Sequence, residues 1–351
     1  MTRVLQALAG AETGGAELHF VRLCLALHKA GVEEHVVMRP HRRREDELKA
    51  GGVVPILAPF GGWFDFRTRF ILKRELRRFK PEIVLTYMNR ASKKMPKGGH
   101  VHIGRLGGYY NLKYYKRCDH LVCITPDIVD YCVKSGWPTE RVHCIPNFVE
   151  DNTAPAADRR SYGTPTAVPL VFALGRLHEN KAFDTLLRAI AALPGTYLWL
   201  AGDGPELDKL KTLARELGIA DRVHLLGWID DPAPLFAAAD VFVVPSRHEP
   251  LGSVLLEGWM HRKPMIAAAS QGPKFLIKDG EDGLLVPIDE PAAMAAAIGR
   301  VLDDPALARS LARKGRATFE ANYTEAVAVS RYLALFDKVL ADKQAKAKDG
   351  G

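Results

Sequence analysis

The chain has 351 residues, 47% apolar and 26% charged, with a net charge of +8. That length suits two ordinary domains, each with its own core, and the composition excludes a disordered or fibrous protein. The charge is uneven: residues 1–160 carry 27 Lys and Arg against 17 Asp and Glu, the remainder 22 against 24, so the first half calls for an acidic partner such as lipid or glycan phosphates, a membrane surface or nucleic acid.

Residues 2–9 alternate as a strand and lack the long apolar core of a signal peptide, so a cytosolic protein is expected. Pro194, Gly195, Asp240 and Pro245 interrupt the most apolar stretches, and no run reaches the roughly 18 residues of a membrane-spanning helix. Gly10 to Glu17 turns into a helix ending near Ala30-Gly31. Gly14 and Gly15 at that turn let the backbone approach a phosphate closely, although such glycines also serve plain tight turns. Neither a Walker loop nor a G-x-G-x-x-G fingerprint occurs in the chain. Further β-like runs at 34–38, 53–58, 82–87, 100–106 and 120–125 alternate with helical stretches, the pattern of a parallel, doubly wound sheet.

Two surfaces between these strands combine aromatics with cations. The stretch from Trp63 to Arg78 reads either as an amphipathic helix with a solvated basic face or as one lying on an anionic bilayer. The second, Lys93, Lys94 and Lys97 with Tyr109 to Arg117, suits a sugar-phosphate acceptor, while core packing accounts equally for some of its tyrosines. The five cysteines, Cys24, Cys118, Cys123, Cys132 and Cys144, contain no C-x2-C pair and read as reduced thiols, not as a metal site. Arg141 to Val149 forms the last strand of this half, and the Ala/Pro/Asp-rich segment Asp151 to Pro165 is the linker.

The second half opens with a strand at 169–174 and a loop carrying Gly175, Arg176 and Lys181 ahead of a helix. Both cations can converge on one anionic group beside that helix start. Strands follow at 196–201 and 223–227, with a helix at 206–217 between them. The buried-looking strand Asp240 to Pro245 then runs straight into Ser246-Arg247-His248-Glu249-Pro250-Leu251-Gly252-Ser253-Val254-Leu255-Leu256-Glu257. Pro250 and Gly252 break regular structure, so the amides of Leu251, Gly252, Ser253 and Val254 gather at a new helix N-terminus, where they suit an anion or sugar hydroxyls. Glu249 belongs to the loop at the strand's carboxyl end, where open α/β sheets bind ligands. Glu257 is expected on a buried face beside Leu256 and Trp259, a costly place for an unpaired carboxylate. A strand at 264–268, the turn Ser270-Gln271-Gly272-Pro273, a last strand near 284–286 and helices at 292–302, 305–320 and 324–340 complete the chain, and the tail past Ala341 is expected to lack structure.

Glu249 and Glu257 with the Glu-Pro-Leu-Gly wording between them resemble the E-x7-E motif of the retaining glycosyltransferases of family 4. Gly175, Arg176 and Lys181 are similar to that family's G-R-x4-K-G diphosphate clamp, with Ala182 in place of its second glycine. The resemblance implies the GT-B fold, two doubly wound Rossmann-like α/β domains facing across a cleft. It sets an acceptor-side domain at 1–160, a nucleotide-sugar-binding domain at 165–322 and a final helix, 323–340, packing back on the first. It implies transfer of a hexosyl group, without a metal, from a UDP- or GDP-linked sugar to a glycan or lipid-linked acceptor of lipopolysaccharide or surface-polysaccharide synthesis. In this reading Arg176 and Lys181 stabilise the departing diphosphate with Gly14, Gly15, Gly175 and the amides of 251–254. Glu249 holds the donor sugar and Glu257 the ribose. The acceptor-side base stays unassigned: Arg105, Gly107 and Gly108 stand where the family often has a histidine, His102 comes too early, and Asp127 reads as a helix-start acid. A nucleotide-sugar epimerase on the same fold, or a basic binding module, is the alternative. The basic N-terminal face is expected to touch an anionic membrane, and nucleic acid is not the expected partner.

Overall fold

The computed structural model describes residues 2–11, 14–62 and 64–349. The chain divides into two units, Met1–Phe148 with Glu325–Gly351, and Val149–Thr324.

In the first unit the order is β1 (Arg3–Leu8), α1 (Gly15–Lys29), β2 (Glu33–Met38), α2 (Arg42–Ala50), β3 (Ile56–Leu57), α3 (Phe66–Phe79), β4 (Ile83–Tyr87), α4 (Met88–Lys94), β5 (Val101–Leu106), β6 (His120–Cys123), α5 (Pro126–Lys134) and β7 (Val142–Cys144). Seven parallel strands lie in the order β3-β2-β1-β4-β5-β6-β7. The central strands β1 and β4 are buried and carry apolar side chains on both faces because helices cover both. From β1, Val4 and Leu8 pack with Phe20, Leu23 and Leu27 of α1, whereas Leu5 and Ala7 pack with Leu72 and Phe79 of α3. The run 53–58 yields only the two-residue β3, since Pro55 has no N–H to give to a ladder.

The second unit runs β8 (Leu170–Leu174), α6 (Phe183–Ala191), β9 (Tyr197–Ala201), α7 (Leu207–Glu216), β10 (Val223–Gly227), α8 (Ala233–Ala238), β11 (Val241–Val244), α9 (Ser253–Met260), β12 (Met265–Ala268), α10 (Gln271–Leu276), β13 (Leu284–Val286), α11 (Pro291–Asp303) and α12 (Pro305–Asn322). Its six parallel strands lie in the order β10-β9-β8-β11-β12-β13. One face buries Leu186, Leu187 and Ile298 against Val171 and Val243; on the other, Phe172 meets Phe236 edge-on at 4.9 Å. The turn expected at 270–273 is instead the start of α10.

Two boundaries differ from the sequence reading. The segment 151–165 is no loose linker, because its polar side chains are anchored in the second unit. Arg159 donates to Ala238 O (3.0 Å) and Val168 O (2.8 Å) and pairs with Asp240, Asp151 pairs with Arg316, and Thr164 accepts from Trp199 Nε1 at 2.8 Å. The final helix, α13 (Glu325–Asp349), belongs to the first unit and continues eight residues past Ala341, where the tail was expected to lose structure. Ala328, Tyr332, Leu335, Phe336 and Val339 fill the core beside α1, and Lys343 beyond them donates to Gly99 O.

Candidate functional site

Strands β8 and β11 are neighbours, and the chain order reverses between them, which is where doubly wound sheets place their ligands. The loops leaving these two strands are the ones that carry the candidate residues.

After β8, Gly175 N donates to Ala201 O at 3.0 Å and Leu177 N to Asp203 O at 2.9 Å, so the turn that follows β9 supports the cationic loop. The support is close: a Cβ on Gly202 would collide with Gly175 O. Residues 179–181 form a single 3-10 turn, and Ala182, at φ 52°, is a left-handed N-cap for α6. This is the position at which the family motif has glycine, and the left-handed backbone gives the reason.

After β11, Arg247 fixes the second loop to the first. It pairs with Asp184 and with Asp289, each at 2.7 Å, and donates to Glu179 O at 2.7 Å. His248 N adds a bond to Asn180 O at 3.2 Å. These contacts bring Lys181 to Glu249. Lys181 Nζ donates to Glu249 Oε2, and Ser246 Oγ lies 3.5 Å from the same oxygen. Gly272 N donates to Glu249 O at 2.7 Å, and a Cβ at Gly272 would sit 2.5 Å from Leu251 O. The α10 start is therefore a support for the Glu249 loop, which explains a small residue there.

Gly252, at φ 80°, caps α9 without a side-chain bond, Leu251 is buried beneath it, and Ser253 and Val254 open the helix. The expected burial is inverted between the two glutamates. Glu249, in the loop, is only 8% exposed, while Glu257 is half-buried because its neighbours Leu256, Gly258 and Trp259 take the inward positions. Arg176 is exposed and, among the described residues, makes no side-chain hydrogen bond or ion pair. The two cations of the expected clamp are thus in different states: Lys181 is committed to Glu249, and Arg176 is available.

In the first unit, Gly14 is the N-cap of α1 and Gly15 its first residue, both exposed. A Cβ at Gly14 would strike Glu17 Oε2, whereas one at Gly15 would meet nothing within 4 Å. Glu17 is buried and accepts from Ala11 N at 2.7 Å, and Arg44 donates to Ala11 O, so this turn is held by side chains from within. Glu12 and Thr13 lie outside the described residues. Arg105, at the end of β5, is 2% exposed. It donates to Tyr332 Oη at 3.1 Å and to Asn147 Oδ1, and lies 5.4 Å over the Tyr87 ring. His19 of α1 is 3% exposed, edge-on to Phe148 at 5.3 Å, with no hydrogen-bond partner among the described residues on either ring nitrogen. Burial first, then the charges of Arg105 and Arg22, hold it neutral, well below the usual histidine range. No motif pointed to His19; on an apolar helix face it reads as core. His102 is absorbed by structure: buried, 2.9 Å from Thr86 Oγ1, its pKa lowered to about 4 by burial. Asp127 lies in the first turn of α5, whose cap is Thr125 accepting from Ile128 N, so it is a helix-start acid. Of the tyrosine tract, Tyr115 is core, while Tyr114 carries Lys93 and Lys113 over its ring at 5.5 and 5.0 Å.

Comparison with known proteins accounts for this arrangement. Residues 13–153 match Glycosyltransferase Family 4 and residues 156–318 match Glycosyl transferases group 1. The chain is 38% identical to the lipopolysaccharide core biosynthesis glycosyltransferase LpsE of Rhizobium meliloti over 92% of its own length and 95% of that protein's. The chain belongs to the glycosyltransferases. A second relative, LpsD of the same organism, is also 38% identical, over 94% of this glycosyltransferase and 97% of its own chain. The structure of Anabaena Alr3699/HepE in complex with UDP and glucose superposes with a TM-score of 0.81 at 18% identity, covering 96% of this chain and all of that one. The fold is accordingly that of the GT-B glycosyltransferases, two parallel-sheet Rossmann-like domains.

Proposed function

We propose that this glycosyltransferase is a retaining enzyme of family 4 that moves a hexosyl group from a UDP- or GDP-linked donor to a glycan or lipid-linked acceptor in lipopolysaccharide core or surface-polysaccharide assembly. The observation that carries the reading is the Lys181–Glu249 pair beside the uncommitted Arg176, at the reversal of strand order. A departing diphosphate gains charge as its bond to the sugar C1 breaks, and fixed cations and amides aimed at those oxygens lower the barrier. In this scheme Arg176 meets the diphosphate first, and Lys181 divides its charge between the phosphate and Glu249. Glu249, released in part from its pair, accepts hydrogen bonds from the donor sugar. Glu257 accepts from the ribose hydroxyls. The first-turn amides of α9, from 251–254, and the turns at Gly175 and at Gly14 and Gly15 approach the phosphates. As the acceptor oxygen bonds to C1, its proton passes to the leaving phosphate oxygen, so no charge is stranded. The names of LpsE and LpsD support the lipopolysaccharide acceptor, and the UDP and glucose bound by HepE support the donor class.

The enzyme acts, in the same reading, at the inner face of the cytoplasmic membrane. Phe66 and Phe70 of α3 are 71% and 64% exposed on a helix carrying Arg67, Arg69, Lys73, Arg74, Arg77 and Arg78, the composition of an interfacial helix. The donor assignment is tested by calorimetry with UDP and GDP and by NMR of the transferred anomer. Glu257→Gln is expected to weaken nucleotide affinity by about 10-fold or more, the scale of a hydrogen bond to a charged group. The anomer should be retained. Wild-type affinity in the variant, or an inverted product, would remove the assignment.

A further inference from the structure

A cavity of about 880 Å3 lies wholly in the first unit, at the amino-terminal edge of its sheet, away from the strand ends that carry the donor residues. Arg3 of β1, Lys73 and Arg77 of α3, Lys80, Lys97 and Lys343 of α13 line it, and among the described residues Glu82 is the one carboxylate in its wall. Glu82 is itself engaged, accepting from Arg3 N at 3.1 Å. Among the described residues, none of the six cations forms an ion pair; the hydrogen bonds of Arg3, Arg77 and Lys343 go to backbone carbonyls. Some cations elsewhere on the surface pair with carboxylates, as in Arg43–Glu47, Arg74–Glu75 and Arg316–Asp151, but these six, gathered around one cavity, do not. Like charges gathered without counter-ions repel, and an anion that spans them relieves this.

The helix that lines this cavity also points to the anion. On α3, residues 66, 70, 73 and 77 follow helical spacing, so Phe66, Phe70, Lys73 and Arg77 share one stripe, about 16 Å long. The opposite face, Thr68, Leu72, Glu75 and Phe79, is the buried one. Exposed rings thus lead along the stripe to cations that line the cavity. Aromatics belong at the acyl boundary and Lys/Arg at the phosphate level.

We infer that this cavity binds the phosphate headgroup of an anionic lipid while Phe66 and Phe70 enter the interface. The inference rests on the reading that α3 faces a bilayer, and it names the headgroup site that the reading lacks. The test is co-sedimentation of the full chain with vesicles of phosphatidylglycerol and phosphatidylcholine, with and without millimolar inorganic pyrophosphate. Lys97→Glu/Lys343→Glu and, as a second disruption, Lys73→Glu/Arg77→Glu are compared with Arg42→Glu/Lys134→Glu, an equal charge change on exposed positions of α2 and α5. The cavity variants are expected to lose 10-fold or more in vesicle affinity and the control pair no more than 2-fold, with pyrophosphate competing against wild type alone. Equal losses in all three would mean diffuse attraction and overturn the site, as would pyrophosphate binding without vesicle binding. Phe66→Ser/Phe70→Ser separates the two ideas. If it abolishes vesicle binding while the cavity variants match the control, the bilayer reading stands and the headgroup site falls; if wild type binds no vesicles, both fall.

Discussion

Lys181 and Glu249 are 68 positions apart in sequence and share one hydrogen bond, with Glu249 almost enclosed. Arg176, five residues before Lys181, has no such partner among the described residues. This difference separates binding chemistry from architecture. Lys181→Ala and Arg176→Ala should each lower turnover by roughly 10²–10³, the effect of losing one charge-stabilising donor. Only Lys181→Ala should also reduce stability, by about 1–3 kcal/mol, because it leaves a buried carboxylate without its partner. Turnover assays and melting curves on both variants check this, and wild-type turnover in Arg176→Ala would detach that residue from the reaction. Both cations and both glutamates were legible as candidates from motif spacing. Which glutamate is enclosed was not, because apolar neighbours in sequence predict burial only when the helix turns that side inward. Arg247 was also missed: its partner Asp184 lies 63 residues earlier, and nothing local to either residue announces the pair.

At the level of elements, the parallel strands and most helices could be read from apolar runs and turn residues, since a strand covered on both faces shows as a short continuous apolar run. What escaped were elements set by tertiary contact: the start of α10 under the Glu249 loop, the anchored segment 151–165 and the last turns of α13. The start of α3 allows a direct test of an element's own chemistry. Asp65 caps it, accepting from Thr68 N at 3.0 Å and Gly61 N at 2.7 Å and pairing with Lys94. Burial alone would raise this carboxyl, but the bonds from Thr68, Gly61 and Lys94 outweigh it and hold the pKa at about 2. The folded value is below the unfolded value of about 3.9, so the stabilisation is complete above that pH and is lost as pH falls toward 2. Asp65→Asn keeps a capping acceptor and should flatten that acid limb in urea midpoints measured from pH 5 to 2. Asp65→Ala should cost about 1 kcal/mol at neutral pH. An unchanged acid limb in Asp65→Asn would show that the cap does not depend on its charge.

On the scale of the whole chain, the first unit is closed by its last segment. Four large side chains of α13, Tyr332, Leu335, Phe336 and Val339, are at most 6% exposed in the core against α1. Burying side chains of this size stabilises by about 1.5–3 kcal/mol each, or about 6–12 kcal/mol together. A whole domain has a net stability of about 5–15 kcal/mol. The helix also supplies Tyr332 Oη to the buried Arg105, so its loss would strip a partner from an enclosed guanidinium. A chain ending at Thr324 should therefore lose the first unit's cooperative melting transition and the hydrogen-exchange protection of β1, β4 and β5. The second unit, continuous from Val149 to Thr324, should keep its own transition. Phe336→Ala, a smaller disturbance, should lower the first unit's stability by about 3–5 kcal/mol and leave the second transition where it was. Amides of β1, β4 and β5 that stay protected in the shortened chain would mean that the seven-stranded sheet closes its core without α13, and that the helix is an accessory to the fold.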